Sequence, residues 1–122
     1  MATYRSNLVF ESIHEADVVN MARSHKADIL PADWRTSAVD SGHAVAFYSD
    51  DAAHCEAVNA EIASRREASI QRLLESPTFE GDDRPEAEKR AEIEREGWGF
   101  MGYTLALTPQ RHLVFSGWTK VA

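Results

Sequence analysis

The chain has 122 residues, 43% of them hydrophobic, and 20 acidic against 13 basic side chains for a formal net charge of -7. That is the composition of one globular domain over residues 1–122, long enough to bury a core without a metal or disulfide staple. A single cysteine, Cys55, excludes an internal disulfide framework, no apolar run approaches the ~20 residues of a membrane span, and the N-terminus lacks a basic segment followed by an apolar stretch. A cytoplasmic protein that does not touch membrane is the expectation.

Residues 3–10 end in Leu8, Val9 and Phe10 and predict a strand. Ser12 stands three residues before Glu15, a capping box that opens a helix over 13–25, before Pro31. Residues 34–39 and 44–48 predict a hairpin turning at Asp40, Ser41 and Gly42. Ser49, Asp50 and Asp51 then offer caps and negative charge at the start of a long helix reaching Glu75. At about 100° per residue, Cys55, Val58, Ile62, Ser69, Ile70 and Leu73 share one side of it, so the helix packs on a sheet.

Pro77, Gly81 and the Asp82, Asp83 pair break that helix. Asp83 with Glu86 forms a second capping-box-like start, Pro85 falls in the first turn, and the helix runs to Glu96 with Ile93 as its one large apolar residue and Gly97 as its stop. Residues 100–107 and 112–121 predict a terminal hairpin with its loop at 108–111; alternation puts Leu113 and Phe115 on one face and Val114 and Trp118 on the other. The order predicts an α+β fold: a largely antiparallel sheet of about five strands with helices on one face.

Gly97, Gly99 and Gly102 spell the dinucleotide-binding G-x-G-x-x-G, but a helix precedes them and a strand follows, the reverse of the context that brings a pyrophosphate to a helix N-terminus. His14, His25, His43, His54 and His112 fall in no metal-binding pattern, and Cys55 lies on the apolar stripe as a small buried hydrophobe rather than a nucleophile. No cofactor, metal or catalytic set is expected. Arg66 lies inside the stripe and needs either a carboxylate, from Asp40, Glu11 or a partner protein, or a stem that carries its head to water.

Residues 75–96 hold nine acids and four bases, and GWGFMGY follows at once. This pairing of a carboxylate-rich helix, itself laced with Glu86–Arg90 and Glu92–Arg95 contacts, with Gly-flanked aromatics suits a surface that docks on a basic protein; the plainer alternative is that alternate members of GWGFMGY enter the core as the strand begins. Asp82, Asp83, Glu86, Glu88, Glu92, Trp98, Phe100 and Tyr103 are its candidate partner-binding residues. With no basic stripe anywhere in the chain, direct nucleic-acid binding is not expected.

In size and acidity the chain is similar to the small accessory inhibitors of phages and mobile elements, among them anti-CRISPR proteins and DNA mimics. The likeness is one of composition, carries no motif and assigns no residue a role. It implies a non-enzymatic module that occupies the surface of a protein partner, itself basic or nucleic-acid-binding. Two other readings stand beside it: a ligand-binding or enzymatic α+β domain with a pocket near His43, Arg66 and His112, and a structural subunit of a homo-oligomer.

Overall fold

The computed structural model describes residues 2–11, 30–39, 44–108 and 111–122. Among these described residues, six strands and two α-helices follow in the order β1 (Tyr4–Glu11), β2 (Arg35–Val39), β3 (Ala44–Ser49), α1 (Ala52–Leu74), a 3-10 turn (Pro77–Phe79), α2 (Glu86–Glu96), β4 (Tyr103–Thr108), β5 (Arg111–Phe115) and β6 (Trp118–Lys120). The class is α+β, as the sequence order implies. The expected helix over 13–25 and the turn at 40–42 lie outside the described residues.

The strands form two sheets. One is antiparallel with order β2-β3-β1-β6, and the other is the β4-β5 pair. The expected terminal hairpin is thus corrected. Its second strand breaks after Phe115, so that β5 pairs with β4 whereas β6 crosses to β1, with Ser6 opposite Trp118. Gly117 makes the switch. Its φ of +123° suits glycine, and a Cβ there would stand 2.5 Å from Asn59 Oδ1. The break also overturns the expected faces: Val114 is exposed, whereas Phe115 and Trp118 are both buried with ring centroids 5.5 Å apart.

α1 starts where expected. The Asp51 carboxylate accepts the His54 backbone N–H at 3.0 Å, a side-chain cap for an orphan donor. The ends of β3 and α1 are tied to the β2 approach, since the Asp33 carboxylate accepts from Ser49 Oγ at 2.5 Å and from Asp50 N–H at 2.8 Å. Cys55, Val58 and Ile62 enter the main core with Tyr4, Leu30, Phe47, Phe115 and Trp118. Further along the same stripe, Ile70 meets Phe79 and Ile93 in a smaller second core, with Leu73 and Leu74 packed against it.

Asn59 joins helix to sheet. Its amide accepts from Trp118 N–H at 2.8 Å and donates to Trp118 O at 2.9 Å, so an asparagine side chain pairs with the edge strand β6 as a neighbouring strand would. No helix among the described residues is long and apolar enough to cross a membrane.

Candidate functional site

α2 is positioned by one apolar contact and a frame of ion pairs. Ile93 is its only buried residue. Arg90 reaches α1, where its guanidinium holds Glu67 at 2.6 and 3.0 Å and draws that carboxyl down to about 2. Arg66 of α1 reaches back to Glu94 at 3.2 Å.

Arg84 clamps the preceding loop. Its guanidinium binds the Asp82 carboxylate at 2.6 to 3.1 Å and Glu92 at 3.0 Å, and the hydrogen bonds to Arg84 bring Asp82 down to about 2. The expected Asp83 capping box does not form: Pro85 is the N-cap and no side chain caps the helix. Asp82 supplies the local order instead, accepting the Arg84 backbone N–H at 3.0 Å. Glu86 and Glu88 lie in the first turn of α2, where negative charge is favoured, and Gly97 ends the helix in the left-handed region at φ +70°.

The five candidate acids therefore divide. Asp82 and Glu92 share Arg84, and Glu92 also has Arg95 at 3.9 Å; Glu86 has Arg90 at 3.8 Å. Asp83 and Glu88 are exposed and form no ion pair among the described residues. On helical geometry Glu88 and Glu92 lie about 40° apart around the axis, but Glu86 is about 160° from Glu88, so the three do not make one row.

The aromatic candidates divide as well. Gly99, at φ +84°, passes so close to α1 that a Cβ would lie 2.4 Å from Ser69 Oγ, and the next N–H, of Phe100, donates to that oxygen at 2.9 Å. A serine on the apolar stripe of α1 is explained by this crossing. Trp98 stays 38% exposed with its ring 6.4 Å from Phe79, beside the acidic segment. Phe100 and Tyr103 meet edge to face at 5.7 Å, and the Arg65 guanidinium lies 5.8 and 5.6 Å from their centroids. They are half-buried against α1 and each other.

The three glycines follow a helix and precede a strand, and Gly102 serves packing: a Cβ there would stand 2.2 Å from Phe115 O. Burial pushes the Cys55 thiol up to about 11, an inert thiol at neutral pH despite the opposing Ser49 hydrogen bond. Arg66 carries its head to the surface, 41% exposed, and pairs with Glu94; of its expected candidates, Asp40 lies outside the described residues and the side chain of Glu11 is not described. His43 lies outside the described residues, as do His14 and His25, and the side chain of His112 is not described. His54 Nε2 is buried with no hydrogen-bond partner among the described residues.

A cleft of about 460 Å³ opens between α1, α2 and the β1–β6 edge; Arg66 and Arg90 line it with their partners Glu94 and Glu67, and Asn7 and Asn59 face them. Its charges cancel in pairs. Among the described residues, no three His, Cys, Asp or Glu side chains are grouped to hold a metal ion. Sequence reasoning missed Glu67, which reads locally as one more solvent-facing acid, because its partner Arg90 lies 23 residues on. Compared with protein-family models, with curated proteins and with solved structures, the chain matches none.

Proposed function

We propose that the protein is a non-enzymatic binding module, a small acidic inhibitor or accessory protein of the phage or mobile-element kind, anti-CRISPR-like or DNA-mimic-like, that occupies a basic surface of a protein partner. The observation that carries this reading is the construction of α2: one buried residue out of eleven, held to α1 by Arg90 and Arg66, with Asp83 and Glu88 exposed and, among the described residues, without an ion pair. A helix that buries so little contributes chiefly by what it shows to solvent. Trp98, exposed next to it, supplies an aromatic anchor of the type that dominates interface energetics.

Phe100 and Tyr103 act as supports of this surface, through Arg65, rather than as its contact residues. Local pairing of Asp82 and Glu92 with Arg84 makes Glu88 and Asp83 the carboxylates that meet the partner's cations.

The test begins with affinity purification of the tagged protein from its host and interferometry on the recovered partner. The double variant D83K/E88K, at exposed positions outside the ion-pair frame of α2, is expected to weaken binding at least tenfold while leaving the melting temperature nearly unchanged, and rising salt is expected to slow association more than it speeds dissociation. Undiminished affinity of D83K/E88K overturns the reading. A second reading, a small-ligand site, is favoured by the cleft at Arg66 and Arg90; a small molecule retained in native mass spectrometry and lost with R66A would establish it instead.

A further inference from the structure

Where α1 ends, the chain folds a groove of about 270 Å³ lined by Leu74, Glu75, Ser76, Pro77, Phe79 and Glu80. None of these six residues was among the candidate contacts read from the sequence. We infer that this groove is a socket for one arginine or lysine side chain of a protein partner, an inference that rests on the proposed role as a binder of a basic surface.

The lining matches that occupant in two parts. Leu74, Pro77 and Phe79 offer an apolar wall for the aliphatic stem. Glu75 and Glu80 are exposed and form no ion pair among the described residues, although other acids of the segment do. The groove also lies at the C-terminus of a 23-residue helix, the end at which the peptide dipoles favour a cation. An acidic side chain meets two like charges there. A purely apolar one desolvates the carboxylates without compensation.

The socket is also preformed, which spares the cost of ordering it on binding. Ser76 Oγ donates to Leu73 O at 2.6 Å and accepts from Thr78 N–H at 3.3 Å; Glu80 N–H donates to Pro77 O at 3.1 Å and Asp82 N–H to Phe79 O at 3.0 Å. Phe79, which lines the groove, meets the exposed Trp98 ring, so the socket adjoins the proposed contact surface.

The experiment is an amide-detected NMR titration of the full chain with N-acetyl-arginine amide, N-acetyl-lysine amide and N-acetyl-norleucine amide. Saturable shifts confined to residues 74–80 and the Trp98 indole are expected for the two cationic probes. The variant E75Q/E80Q, which removes charge from two exposed positions and leaves the fold intact, should bind them about fivefold more weakly, the scale of exposed charge pairs. Equal shifts with norleucine, no saturable shifts with any probe, or undiminished binding by E75Q/E80Q each overturn the socket. The outcome is separate from that of the proposed function. A socket that binds arginine while D83K/E88K leaves partner affinity intact sinks the acidic-helix reading alone; a silent groove with partner affinity lost in D83K/E88K sinks the socket alone.

Discussion

The two halves of α1 take part in two different kinds of core. Its first turns pack Cys55, Val58 and Ile62 against residues as distant in sequence as Tyr4, Phe47, Phe115 and Trp118. Its last turns pack Ile70 against Phe79 and Ile93, all within one stretch of the chain, and α2 is then held by surface ion pairs. The first core welds distant segments into a sheet and must form as a whole; the second is a local cluster able to open by itself. One continuous apolar stripe thus serves both the framework and a peripheral helix that presents charge.

The largest expected effect comes from the framework. Phe115→Ala removes a fully buried ring from the main core and should cost ~3 to 5 kcal/mol, lowering the melting temperature of the whole protein. An unchanged melting curve breaks the assignment of Phe115 to that core. Ile93→Ala, at the only buried position of α2, should cost ~2 to 5 kcal/mol, but chiefly in the local opening of that helix. Hydrogen exchange reads the difference: amides of 86–96 should lose protection while those of β1 and β3 keep theirs. Equal loss in both regions would make the two cores one cooperative unit.

Asn59→Ala tests the joint between helix and edge strand. It leaves the Trp118 N–H and C=O without their side-chain partner and should cost ~1 to 3 kcal/mol, seen as faster exchange along β6. The smallest effect is one of pH. Glu67 and Asp82 titrate at about 2 in the folded protein, below the usual carboxylate range, so their pairing stabilises α2 fully above that range and is lost as pH falls towards 2. Being exposed, these pairs should loosen α2 without unfolding the sheet; protection in 86–96 should decline over that window and decline less in R84A/R90A. A pH-independent α2 would show that Ile93 alone holds it.

The break after α1 and the acidic helix were partly legible before the fold was known. Pro77 marks the break, Gly97 the stop and Ile93 the anchor, because each acts through its own backbone geometry or local periodicity. The candidate acids were legible as a charge excess but not as a surface, since which carboxylates remain without a partner depends on where Arg84, Arg90 and Arg66 reach. The groove at Glu75 and Glu80 left no pattern at all.

By itself, then, the sequence determined the α+β class, the extent of α1 and the buried stripe Cys55, Val58, Ile62, Ser69 and Ile70, because helical and strand periods place side chains within a few residues of one another. Only the tertiary structure decided that the last strand divides at Gly117 between two sheets, that Arg66 answers to Glu94 and Arg90 to Glu67, and that Ser69 receives the crossing chain at Gly99. Those choices depend on close approach between segments far apart in the chain, where a missing Cβ or a guanidinium's reach settles the geometry and no local repeat records it.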